Sequence, residues 1–102
     1  MTSRGNGDPS IYQVSLSKHV GATLKELHRR AAEQGTGQQC LAALRVIHRR
    51  LQTEPQIFGE PLFHLPALKL LIYQAIVSRL VIHYAVHQER PLVIVRSVDL
   101  LG

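Results

Sequence analysis

The sequence predicts an α+β domain. An N-terminal strand leads into an antiparallel helix hairpin, and a three-stranded antiparallel block follows, all forming one twisted sheet. Three observations carry this. The stretch from Lys69 to Val98 is dominated by Val, Ile, Leu and Tyr, and β-branched and aromatic side chains suit a pleated, half-buried surface. Lys18 to Thr53 instead repeats its apolar residues at helical spacing, as a helix with one buried face does. Gly35 and Gly37 divide that helical stretch in two, and glycine is the usual residue just past a helix end. A chain of 102 residues has room for one modest core. We assign residues 11–102 to one domain and residues 1–10, Gly-rich and polar, to a flexible tail.

The elements follow in order. Ile11 to Ser17 reads as the first strand, with Tyr12, Val14 and Leu16 on one face and Gln13 and Ser15 on the other, because strand side chains alternate. Ser17 then stands where a helix N-cap belongs, its hydroxyl placed to accept a free backbone N–H. The first helix spans roughly Lys18 to Gln34, with Val20, Leu24, Leu27 and Ala31 as its apolar stripe. Glu26 lies four residues before Arg30, the favoured order for a helical ion pair. The second helix spans roughly Gln38 to Thr53, with Leu41, Leu44, Ile47 and Leu51 as its stripe, and Pro55 stops it.

Pro55 to Pro66 reads as a connector with a short extended piece at Leu62 to Leu65. The three strands then run over Lys69–Val77, Leu80–His87 and Pro91–Val98. The turn at Ser78-Arg79 lacks the Gly or Asn that two-residue hairpins prefer. On the middle strand His83 shares a face with Val81 and Ala85, and Tyr84 with Ile82 and Val86. The second set is the better core, which assigns His83 to the open face.

Composition narrows the chemistry. Twelve Lys and Arg against seven Asp and Glu give a formal charge of +5 and a pI near 10.0, a balance that favours nucleic acid or an acidic protein as partner. The excess lies in the helices: Lys18 to Thr53 holds seven Lys or Arg and two Glu. Arg29-Arg30 and Arg49-Arg50 are the candidate RNA- or partner-binding clusters, a phosphate or acidic-partner surface weighed against plain solvated helix faces. Cys40 is the lone cysteine, which excludes an intrachain disulfide and fits a reducing, cytoplasmic setting. No secretory h-region is expected in residues 1–10.

Several familiar chemistries are not expected. The apolar run Leu65 to Val86 is interrupted by Lys69, Gln74, Arg79 and His83, whereas a spanning helix wants about 20 nearly uncharged residues. No metal or other cofactor is implied. His83 and His87 have helical ligand spacing but lie in a strand, where residues four apart are separated by about 13 Å. No phosphate-cradling Gly-rich motif occurs. What remains on the sheet is a set of cationic and proton-transferring side chains: Lys69, Tyr73, Arg79, His83, Tyr84 and Arg96. Such groups can cleave RNA without a metal. A base takes the ribose 2′-hydroxyl proton, an acid protonates the leaving oxygen, and a cation holds the phosphate charge.

Tyr12-Gln13-Val14-Ser15-Leu16-Ser17-Lys18 runs straight into a helix. Leu51 is followed by Pro55, Gly59, Pro61-Leu62 and Leu65. Leu80-Val81-Ile82-His83-Tyr84-Ala85-Val86 and Val93-Ile94-Val95-Arg96-Ser97-Val98 complete the pattern. In this order and spacing, from about Ile11 to Leu101, the chain resembles the RelE/ParE toxin superfamily. The resemblance implies a helix hairpin packed on a twisted antiparallel sheet, and a type II toxin neutralised by an acidic antitoxin protein. RelE-like members cleave messenger RNA on the ribosome; ParE-like members target DNA gyrase.

Carried onto this sequence, the resemblance brings Arg79 near the arginine that RelE-like nucleases place just ahead of the strand holding Tyr84, and Lys69 near a lysine of the preceding strand. If the chain cleaves RNA, the catalytic residues expected from the sheet set are Arg79, His83 and Arg96, with Lys69 contacting RNA. After the last strand, where the nucleases carry a basic pair or a His, this chain reads Asp99-Leu100-Leu101-Gly102. That departure keeps an alternative open: a catalytically inactive RelE/ParE-like protein-interaction domain. An unrelated basic RNA-binding domain would need stacking aromatics, and the chain has three Tyr, two Phe and no Trp.

Overall fold

The computed structural model describes residues 11–101. The chain runs β1 (Gln13–Leu16), α1 (Lys18–Glu33), α2 (Gly37–Thr53), a one-turn α3 (Pro55–Phe58) and β2 (Glu60–Leu65). A 3₁₀ turn (Pro66–Leu68) then leads into β3 (Leu70–Val77), β4 (Leu80–His87) and β5 (Leu92–Leu100). The α+β class holds. The expected three-stranded antiparallel block is corrected: it is the centre of a five-stranded mixed sheet in the order β1-β5-β4-β3-β2. β2 adds antiparallel to β3, and β1 pairs parallel with β5. Antiparallel strands alternate from β2 through β3 and β4 to β5, so β5 runs opposite to β2 and parallel to β1. The connection from β1 to β5 contains both helices and three strands, far longer than the crossover that parallel strands need.

Ser17 caps α1 as its position predicts, accepting from Val20 N at 3.1 Å. The expected Glu26–Arg30 pair is not made. Arg29 takes Glu26 instead, and also Glu33, because residues three and four apart share a helix face.

The helix hairpin covers one sheet face. Val20 and Leu27 of α1 and Ala43, Ile47 and Leu51 of α2 pack on Tyr73, Ala75, Ile82, Tyr84 and Val86 of the central strands. Leu16, which shares a face with Tyr12 and Val14, is 48% exposed because β1 is an edge strand at the rim of the helical layer. No helix among the described residues is long and apolar enough to cross a membrane.

The β3–β4 turn closes in two residues, with Val77 opposite Leu80, without the expected Gly or Asn. Ser78 meets the geometry at φ 57°, a left-handed conformation that costs an L-residue about 1–2 kcal/mol. Ser78→Gly is therefore expected to raise stability by about 0.5–1 kcal/mol, after subtracting glycine's greater freedom in the unfolded chain. A urea midpoint that moves down would contradict this.

Candidate active-site cleft on the open sheet face

Strand parity alone would send Arg96 and Ser97 to opposite faces and leave their relation to His83 unsettled. β5 resolves this with a bulge. His83 pairs with Ser97, but the next residue, Tyr84, pairs with Val95, so Arg96 is the extra residue. The burial pattern records the shift: Val93 and Val95 are in the core, and the next core residue is Val98, three positions on. A bulge re-aims the side chain it inserts and bends the strand. Arg96 consequently lines the same cleft as His83 and Ser97, on the face away from the helices.

The cleft encloses about 370 Å³ and has an apolar wall of Leu62, Phe63 and Ile72. β2 supplies that wall. A second irregularity, between Pro61 and Phe63, aligns Phe63 with Ile72. Phe63 remains half exposed while Ile72 is buried beneath the edge strand. Sequence reasoning found the extended piece at Leu62 to Leu65 but not its place, since an edge strand's partner is not written in its own residues.

His83 sits in the middle of a polar ladder across three strands. Its Nε2 is 2.8 Å from Gln74 Oε1, and its Nδ1 is 3.1 Å from Ser97 Oγ. A carbonyl oxygen only accepts, so Nε2 carries the proton. In neutral imidazole that leaves Nδ1 bare, to accept from the Ser97 hydroxyl. Arg96 is exposed on the cleft rim, with no ion pair among the described residues.

Arg79 is not part of this constellation. It lies in the β3–β4 turn, where its Nη2 donates to Leu101 O at 3.0 Å and its own carbonyl accepts from Leu101 N at 2.7 Å. There it lines a different feature, a groove of about 660 Å³ between the hairpin and the end of the sheet. The groove has Arg30 and Arg79 beside an apolar floor that includes Leu27, Ala43, Leu80 and Leu100, and no acidic residue among those described lines it.

Lys69 is also corrected. It is not on a strand but precedes β3 in a left-handed conformation, and its Nζ pairs with Glu89 at 3.0 Å, near the β4–β5 turn. His87 caps that turn, its Nδ1 accepting from the backbone N–H groups of Glu89 and Arg90.

The helical clusters divide in the same way. Arg29 is spent on Glu26 and Glu33, and its hydrogen bond holds the Glu26 carboxyl below the usual carboxylate range. Arg50 reaches Glu54, with Nε 2.6 Å from Oε1 in an ion-pair contact rather than an aligned hydrogen bond, and lies over the Phe58 ring at 5.0 Å. Arg30 and Arg49 are exposed and carry no ion pair among the described residues.

Tyr73 and Tyr84, counted among the proton-transferring candidates, belong to the core. Burial pushes both hydroxyls up, Tyr84 far above the ordinary tyrosine range. No protein-family model, curated protein or solved structure matches the chain.

Proposed function

We propose that the chain is the toxin of a type II toxin–antitoxin module of the RelE/ParE kind, a cytoplasmic protein whose open sheet face meets RNA. The observation that carries this is the β5 bulge, since it joins Arg96 to His83 in one cleft beside the half-exposed Phe63. A cation for phosphate, an imidazole for proton transfer and an aromatic face for a base are the parts that metal-free RNA cleavage needs. His83 takes the 2′-hydroxyl proton when that hydroxyl replaces Ser97 at Nδ1, and Arg96 bears the phosphate charge. Arg79 drops out of the catalytic set, and Lys69, paired with Glu89, drops out as an RNA contact. An acidic antitoxin segment is the partner, and the groove flanked by Arg30 and Arg79 supports that choice by charge and by its apolar floor.

Controlled induction of this chain alone in a bacterial host, with primer extension on a translated message, tests the reading. Growth arrest with cuts at the ribosomal A site is expected. Arg96→Ala and His83→Gln are each expected to reduce cleavage by about 100-fold or more, whereas Arg79→Ala retains it. Arrest without cuts would direct attention to gyrase. Absence of arrest from soluble, folded protein would overturn the toxin reading. It would favour the second one, a catalytically inactive interaction domain, which has its own observation: both ring nitrogens of His83 are already bonded within the fold.

A further inference from the structure

The hydrogen-bond ladder Gln74–His83–Ser97 ends in a hydroxyl that RNA cleavage by a 2′-hydroxyl does not use. Gln74 Oε1 fixes the proton on Nε2, and the bare Nδ1 faces a hydroxyl at 3.1 Å. This is the relation of nucleophile to base to orienting group that activates serine in unrelated folds, recognised by geometry rather than by sequence position. All three side chains are half-buried on paired strands, so the relation is set by sheet register rather than by a loop. Arg96, the residue beside Ser97, lines the same cleft, where it can receive developing negative charge. The remaining wall of Leu62, Phe63 and Ile72 is apolar.

We propose that Ser97 is a nucleophile, with His83 as its general base, in a cleft suited to small esters that carry an apolar acyl group. As Ser97 Oγ bonds the carbonyl carbon, its proton passes to His83 Nδ1. The carbonyl π pair moves onto oxygen, beside the Arg96 guanidinium. Collapse of this tetrahedral species breaks the ester C–O bond, and the departing alkoxide takes the proton from Nδ1. Acyl-Ser97 remains. Water then attacks the acyl carbon and gives a proton to Nδ1, and that proton returns to Ser97 Oγ as the carboxylic acid leaves. Gln74 acts as a positioning residue, holding the imidazole in the tautomer whose Nδ1 is free to accept. This inference does not rest on the toxin reading, because it concerns a different bond and a different nucleophile.

The test is incubation of the folded chain with p-nitrophenyl butyrate, following p-nitrophenolate release and mapping the acyl adduct by peptide mass spectrometry. A release burst with the acyl group on Ser97 is expected, and Ser97→Ala should abolish both the burst and that adduct. His83→Gln should slow acylation of Ser97 by about 100-fold. If His83→Gln does not fold, Gln74→Ala serves: it keeps the imidazole, frees the tautomer, and should slow acylation measurably. Acyl groups found on lysine, histidine or Cys40 but not on Ser97 would overturn the proposal. So would a Ser97 acylation rate that neither His83→Gln nor Gln74→Ala changes.

Discussion

Replacing Tyr84 with Ala is expected to cost about 3–5 kcal/mol of folding stability, the range for truncating a large buried aromatic side chain. Tyr84 has no exposed surface. Its ring stacks on Tyr73 at 5.4 Å and on Phe58 at 6.0 Å between centroids, and its hydroxyl donates to Pro55 O at 2.6 Å. Truncation removes all three contacts and leaves the cavity where α3 meets the sheet. Tyr84→Phe separates the terms. It keeps the rings but orphans the Pro55 carbonyl, at an expected cost of about 1–3 kcal/mol. Urea melts of both variants measure the two effects.

The same side chain sets an alkaline limit. Burial, the largest influence, raises the Tyr84 hydroxyl far above its ordinary range, so the folded state keeps its proton where the unfolded chain loses it. The unfolded state then binds fewer protons, and stability falls as pH rises above about 10, the unfolded tyrosine value. Below that value the stabilisation is fully present. Melts at about pH 8 and about pH 11 should show this decline in the native chain and a shallower one in Tyr84→Phe. The slope should not vanish, because Tyr73 is raised in the same direction.

The second large effect is expected at Gly59. Its backbone is extended, at φ −113°, so positive φ is not the reason glycine is needed. The reason is proximity. A Cβ there would lie 2.6 Å from the Tyr84 hydroxyl oxygen and 2.7 Å from the Gln74 carbonyl oxygen. Neither can yield freely, since one is bonded to Pro55 O and the other is backbone. Gly59→Ala should therefore cost about 3 kcal/mol, at the upper end for overpacking. Adding Tyr84→Phe should recover only part of this, because the clash with Gln74 O remains. Full recovery in the double variant would show that the hydroxyl alone sets the limit, and strict additivity would show that the two sites are uncoupled.

These residues also show where sequence reasoning succeeds. Ile82, Tyr84 and Val86 read as core because alternation on a strand is strict, and all three are buried. Ser17 reads as a cap because its function is local, and the bond is made. The helix stripes were equally plain from their spacing. Most of the misses depend on residues far apart in sequence. β2 contains Pro61 and looks like a connector until β3 stands beside it. β1 looks like any short strand until the far end of the chain lies parallel to it. The bulge at Arg96 defeats parity, because one inserted residue reverses every facing assignment beyond it. Arg79 and His83 looked like partners in one strand region, yet the turn carries Arg79 into another groove. Lys69 looked like a free cation because its partner Glu89 is twenty residues away and is matched only in space. Arg29 with Glu26 and Glu33, and Arg50 with Glu54, are instead local pairs at helical spacing that the sequence does display.

The pairing of β1 with β5 has a consequence in time. Gln13 meets Leu92 across nearly the whole chain, and the entropy of closing so long a loop must be met before any of its contacts form. The hairpins of β3, β4 and β5 join neighbours through short turns, so they can assemble first. During synthesis the first strand therefore waits, unpaired, while the helices and four later strands emerge. The sheet is sealed only when β1 docks on the completed β5, whereas the bulge that brings Arg96 to His83 belongs to the β4–β5 hairpin, so the cleft can form before the first strand is in place.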